Sequence, residues 1–188
     1  MNIKGKIVTL RAMTQSDQQM ICDLFNDPLV EDVVVGWAFP ISIEQQNQWF
    51  QDNLSASNLN HRFVIETEED GAVGIATLTD IDWKNRSAMH GIKLSGKKNR
   101  SKGIGTDTVM AIMRYAFDEL GLHRLDGAWF DFNTASIRLY NKCGWRKEGV
   151  RRECIYKRGQ WRDLTLVGIL ESDYRELINT NHYWKDES

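Results

Sequence analysis

Between Ile104 and Leu120 apolar residues recur every three or four positions: Ile104, Val109, Ile112, Met113, Ala116, Phe117 and Leu120. That period winds an amphipathic helix, and Gly121 supplies its C-terminal stop. Ser87–Leu94 before it and Arg124–Phe130 after it read as strands, and two strands joined through such a helix need a crossover connection, so they pair in parallel. Elsewhere short turns join the strands. Asp70-Gly71 is a hairpin signal between His61–Thr67 and Ala72–Thr79, and Lys157-Arg-Gly-Gln160 turns Gly149–Tyr156 into Trp161–Leu170. Ile7–Arg11 opens the chain as a strand. A helix capped by Thr14 and ended by Asn26-Asp-Pro28 follows, then one from Ser42 that stops near Ser55–Asn58, a short one from Thr134 to Cys143, and a helical tail from Ser172 to Ile178. The expected fold is α/β: a single domain over residues 1–188 with its core at about 7–170, and a mixed, mostly antiparallel sheet flanked by helices.

Composition narrows the class. The 188 residues are 41% hydrophobic, enough for one core and too few for two full domains. Net charge is −2, so nothing global suggests a nucleic-acid coat. The charge is nevertheless segregated. From Ala12 to His61 there is no Lys or Arg, while Asp17, Asp23, Asp27, Glu31, Asp32, Glu44 and Asp52 occur; from Lys84 to Lys102 there are seven bases and no acid. Cys22, Cys143 and Cys154 form neither a C-x-x-C pair nor an even set, which fits a reducing compartment and no zinc site. The N-terminus lacks the apolar stretch of a signal peptide and no apolar run approaches a membrane span, so the expected location is the cytoplasm.

Lys97-Lys-Asn-Arg-Ser-Lys-Gly-Ile-Gly-Thr106 places bases and glycines immediately before the helix that starts near Ile104. Unpaired amides and the helix dipole make such a start an anion site, and a phosphate or pyrophosphate is its natural guest. A Walker A loop is excluded because Lys102 precedes Gly103 and no Ser or Thr succeeds it. A dinucleotide fingerprint is poorly met, with Thr108 where a third small residue belongs. A solvated basic turn remains the plain alternative for this segment alone.

A second segment separates these readings. Arg100, Gly103 and Gly105 form R-x-x-G-x-G, and one helix and one strand later comes Asn133-Thr-Ala-Ser-Ile-Arg-Leu-Tyr-Asn-Lys-Cys-Gly-Trp145. Together they resemble the GNAT superfamily of acyl-CoA-dependent N-acetyltransferases, with Asn133, Ser136, Tyr140, Lys142, Gly144 and Trp145 matching its second motif. The likeness runs from Leu10 to Leu170 and takes in Gly149, Arg152 and Gly159-Gln-Trp-Arg-Asp163. In detail it looks like the branch of ribosomal-protein and spermidine N-acetyltransferases.

The resemblance implies acetyl-CoA as co-substrate and no metal. Main-chain amides of Arg100, Ser101, Lys102, Gly103, Ile104, Gly105 and Thr106 would cradle the pyrophosphate, with Lys98, Arg100 and Lys102 adding charge. Ile92, Lys93 and Leu94 would splay from the Arg124–Phe130 strand and pair with pantetheine. Asn133 would hold the pantetheine side, Ser136 and Lys142 would neighbour CoA, and Tyr140 would protonate the leaving thiolate. Many relatives carry a glutamate on the strand where this chain has Met89 and His90, so His90 is the candidate base, with Glu31, Asp80, Asp82 and Glu148 as candidates acting through water. Trp37, Phe39 and Trp49 could wall an acceptor pocket, while Trp145 and Trp161 are expected between sheet and helices. An N-terminal amine with a pKa near ~7.7 is easier to deprotonate than an aliphatic ammonium near ~10.4. The first expectation is therefore acetylation of a protein N-terminal amine. A small amine such as spermidine, an aminoglycoside or an amino sugar is the alternative, and a non-catalytic acyl-CoA sensor a further one. The acidic stretch suits a cationic acceptor; a homo-oligomer is possible, and neither nucleic acid nor membrane is an expected partner.

Overall fold

The computed structural model describes residues 2–36, 40–54, 58–96 and 102–184, the Leu54 side chain apart. Eight strands form one sheet in the order β1-β2-β3-β4-β5-β6-β8-β7. They are β1 (Ile3–Lys4), β2 (Thr9–Arg11), β3 (His61–Thr67), β4 (Gly71–Asp82), β5 (Ser87–Leu94), β6 (Arg124–Phe130), β7 (Arg146–Lys157) and β8 (Gln160–Leu170). All pairings are antiparallel except β5 with β6, the pair joined by the crossover helix α4 (Ile104–Arg114). The mixed sheet and its one local parallel join agree with the sequence.

Helices cover both faces. α1 (Gln18–Asn26), α2 (Pro28–Glu31) and α3 (Ile43–Leu54) lie on one face, where Ile21, Leu24, Val30 and Phe50 pack on Ile75. α4, α5 (Thr134–Lys142) and α6 (Glu171–Asn181) lie on the other, where Val109, Met110, Ile112 and Met113 of α4 join Leu78, Leu125, Val167 and Ile169 in the main core. Strand alternation sends successive side chains to the two faces. Trp129 therefore joins the α4 face, while its neighbour Phe130 turns to the α1–α3 face.

Some local expectations need correction. Pro28, read only as a stop for α1, begins α2, because Asp27 caps the Leu29 amide and a proline suits the first turn. The helix after Gly103 does not run unbroken to Leu120, since Tyr115–Glu119 widens into a π turn. Trp145 is buried as expected. Trp161 is not: at the hairpin end of β8 it packs on Tyr156 and remains 60% exposed. The β7–β8 turn has Arg158 and Gly159 both at positive φ, the backbone of a two-residue type I′ hairpin.

Candidate active site

The sheet opens where β5 and β6 part. Ser87, Ala88 and Met89 pair with Arg124, Leu125 and Asp126, and beyond those three the strands share no register. β5 remains paired with β4 to Leu94, and β6 with β8 to Phe130. The result is a wedge whose walls are the main chains of residues 90–94 and 127–130. Gly74 lets β4 lie close to that wall, since a Cβ there would sit 2.1 Å from the Lys93 carbonyl oxygen.

At the wide end stands the start of α4. Gly103 is its N-cap at φ +84°, a left-handed conformation that costs other L-residues roughly 1–2 kcal/mol. Gly105 packs on Leu139 of α5, where an added Cβ would come within 3.3 Å. Ile104 is buried beneath, and Ile92 and Leu94 pack on the main core. Lys102 is tied to Asp70 at 2.8 Å and Glu69 at 3.4 Å, which raise its pKa. Lys98, Arg100 and Ser101 lie outside the described residues. Gly103→Val is expected to weaken CoA binding at least tenfold, by closing the amides to an approaching pyrophosphate and straining φ. Undiminished affinity in titration calorimetry would remove this loop as the anion site.

The narrow end holds four packed rings. Tyr140 of α5 lies with its ring centroid 5.8 Å from His90, 5.6 Å from Trp129 and 4.9 Å from Trp145, and His90 is 5.8 Å from Trp145. All four side chains are nearly fully buried. The Tyr140 hydroxyl makes no hydrogen bond to a described residue, and burial raises its pKa, so it stays protonated at neutral pH. Asn133 caps α5: its Oδ1 accepts from the Ser136 amide at 3.1 Å, and its Nδ2 donates to Ser136 Oγ at 2.8 Å. Lys142 is exposed at the opposite end of that helix. Cys143 is buried, with its thiol pushed up to about 12 by desolvation, as a packed and inert cysteine should be.

His90 belongs to this cluster, on the α4 face of β5. Its Nδ1 lies 3.1 Å from the Thr77 carbonyl oxygen, which fixes the proton there and leaves Nε2 as a buried acceptor with no hydrogen-bond partner among the described residues. Desolvation pushes the pKa down to about 4. The unfolded chain, with histidine near ~6.5, binds this proton first. Stability is thus complete above about pH 6.5 and falls toward pH 4, by up to about 3 kcal/mol. Urea titrations between pH 7 and 4 should show that slope in the wild type and a flatter one in His90→Gln; equal slopes would contradict it.

The opposite face of the sheet carries α1–α3. Lys93 shares register with Ile75 and therefore stands on this face. Arg62, one strand further on β3, has its guanidinium 5.7 Å from the Trp49 ring centroid. Burial and the nearby Arg62 charge lower the Lys93 pKa. Trp49 also packs edge-on against Phe25, whereas Trp37 and Phe39 lie outside the described residues. The acids that marked this region are largely engaged: Asp17 by Arg11 at 2.8 Å, Glu31 by Lys157 at 2.8 Å, and Asp32 by Arg158 at 3.0 Å. Glu148 pairs with Arg124, and Asp82 accepts from Asn85 in its own turn. A cavity of about 460 Å³ lies elsewhere, between the 5–8 and 67–70 turns beside Lys102.

Residues 8–146 match the family described as acetyltransferase (GNAT) domain. The spermidine N(1)-acetyltransferase of Vibrio cholerae is 27% identical over 89% of this chain and 95% of its own length. The [ribosomal protein uS5]-alanine N-acetyltransferase of Escherichia coli is 25% identical over 59% of this chain and 57% of its own length. The crystal structure of the Vibrio cholerae spermidine enzyme in complex with CoA and spermine superposes with a TM-score of 0.82 at 25% identity, covering 89% of this chain and 98% of that one. The wedge, the capped helix start and the family match together make this chain a member of the GNAT acetyltransferases, an acetyl-CoA-dependent N-acetyltransferase.

Proposed function

We propose that the acceptor is a small primary amine, entering from the α1–α3 face, and that the wedge between β5 and β6 is where its nitrogen meets the acyl group. The observation that carries this reading is the three-residue β5–β6 join with Tyr140 at its root. The spermidine enzymes, matched along nearly their whole length, support a small amine over the protein N-terminus first expected.

The residues fit the co-substrate. Unpaired main-chain groups of residues 90–94 suit the amides of pantetheine, much as an added strand would. The Gly103 cap leaves the first amides of α4 open for pyrophosphate, and the Asn133–Ser136 cap borders the wedge from α5. Acetyl-CoA supplies the activated acyl group. An N–H of β5 would steady negative charge on the carbonyl oxygen during attack. Tyr140 would donate its proton to the departing sulfur, and the proton lost by the attacking nitrogen would pass to solvent, from which the phenol is reprotonated. Burial raises the phenol, and the same desolvation makes a thiolate more basic, so donor and acceptor move together.

His90 has a narrower part in this reading. A neutral imidazole on the α4 face is poorly suited to strip an ammonium entering from the other side; its Nε2 instead offers a fixed acceptor beside Tyr140. Positioning supplies most of the acceleration. Ser136 and Lys142 are retained as CoA neighbours, Lys98, Arg100 and Lys102 as charge around the pyrophosphate, and Ser101 as one of its main-chain amides. In a homo-oligomer, exposed Tyr156 and Trp161 offer the apolar patch a second copy would cover. Among the described residues no helix is long and apolar enough to cross a membrane.

The deciding assay is thiol release from acetyl-CoA with peptides bearing Ser or Ala N-termini, spermidine, an aminoglycoside and an amino sugar. Turnover with a small amine supports the reading. Turnover with peptides alone would return the acceptor to a protein N-terminus, and CoA binding without turnover would favour a sensor.

A further inference from the structure

A second cavity, of about 260 Å³, is lined by Asp32 next to α2, Phe132 after β6, and Lys157, Arg158 and Arg162 of the β7–β8 hairpin. Register fixes its side of the sheet. Leu164 pairs with Phe130, and Arg162, two residues earlier on β8, projects to the same face. Phe130 is opposite in orientation to Trp129, which packs on Tyr140, so the cavity lies on the face from which the acceptor enters.

Its bases differ in what they already hold. Lys157 is buried, with Nζ bonded to the Glu31 carboxylate and the Val34 carbonyl. Arg158 pairs with Asp32. Arg162 is half-buried and lies 5.2 Å from the Phe132 ring centroid; Phe132 is itself stacked on Phe130 at 5.0 Å. The Arg162 guanidinium makes no ion pair or hydrogen bond with a described residue. An arginine resting beside a supported ring, with its donors unpaired among the described residues, offers a fork that suits a carboxylate or phosphate. The other lining bases are matched, Lys157 by Glu31 and Arg158 by Asp32, which leaves Arg162 as the lining base without an acid among the described residues. Arg162 would therefore disfavour a second ammonium in this cavity and attract an anion.

We propose that this cavity binds an acidic group of the acceptor, so that the amine acetylated carries a carboxylate or a phosphate ester and Arg162 determines that specificity. The inference rests on the acetyl-transfer reading of the wedge. The cavity volume suits one small substituent and not a polymer.

The test is kcat/KM for thiol release with matched pairs: glucosamine 6-phosphate against glucosamine, 4-aminobutyrate against butylamine, and spermidine as the cationic arm. At least one acid should exceed its parent amine by roughly tenfold or more, with spermidine below that acid. The pair that shows the preference tells phosphate from carboxylate. Arg162→Gln should bring that ratio close to one, and Arg162→Lys should retain part of it; a ratio cancels any loss of folded protein. Spermidine or the parent amines matching the acids, or a ratio that survives Arg162→Gln, would overturn the inference and leave acetyl transfer standing. No thiol release from any amine would overturn the acetyl-transfer reading itself.

Discussion

Tyr140→Phe is expected to lower kcat by roughly 100-fold or more, the usual contribution of a positioned general acid, with little change in CoA affinity. The substitution is clean because the ring, and not the hydroxyl, makes the contacts to His90, Trp129 and Trp145. No hydrogen bond to a described residue is lost with the oxygen, so thermal stability should hold. A phenol whose pKa is raised by burial keeps its proton through the neutral and mildly alkaline range. The wild-type rate should therefore show no loss from Tyr140 ionisation between pH 7 and about 9, judged against a reference phenol near ~10. Steady-state rates across that range, for wild type and variant, check both statements. Undiminished turnover in the variant would remove Tyr140 as the acid.

The largest effect on stability is expected from Asp107→Ala. This aspartate lies in the first turn of α4 and is buried. Its carboxylate accepts the amides of Lys6, Ile7 and Val8 at 2.9, 2.7 and 2.9 Å and the Tyr183 hydroxyl at 2.8 Å. One side chain thus holds the β1–β2 turn, the crossover helix and the residues after α6. Alanine leaves three amide donors without that acceptor, each costing roughly 1–3 kcal/mol where water cannot replace it. A loss of about 3–5 kcal/mol follows, against a total of roughly 5–15 for a domain. For a chain of this size that is a fall of roughly 10 °C in Tm. Gly5 leaves room for the same clamp, since a Cβ there would lie 2.4 Å from Asp107 Oδ2. A melting point within about 2 °C of wild type, a shift below 1 kcal/mol, would show that the clamp contributes little.

Periodicity and turn chemistry made most of the fold legible. The repeat from Ile104 to Leu120 located the crossover, Asp70-Gly71 and Arg158-Gly159 located two hairpins, and the glycines before Ile104 located the open helix start. The wedge itself has no local signal: nothing in Ser87–Leu94 or Arg124–Phe130 says that pairing stops after three residues. Here the family resemblance, and not the pattern, supplied the expectation. Asp107 was invisible for a related reason, since an acid in the first turn of a helix reads as a favourable surface charge. The acidic stretch misled in the same way. Arg11, Lys157 and Arg158, which engage Asp17, Glu31 and Asp32, lie outside that stretch, two of them near the far end of the chain. Arg162 and Phe132 gave no signal either, because the contact between them depends on β6 and β8 lying side by side.

The short parallel join between β5 and β6 also orders the assembly of the molecule. β3–β4–β5 and β7–β8 are built from contacts between neighbouring segments and close at small entropic cost. Ser87–Met89 must instead find Arg124–Asp126 across the whole crossover, for only three register pairs in return. The seam therefore forms after the hairpins it unites, with three register pairs against the seven that join β3 to β4 and the seven that join β6 to β8. A ligand that binds only where both strands are in place would raise the stability of the folded chain by mass action, and would do so at this seam.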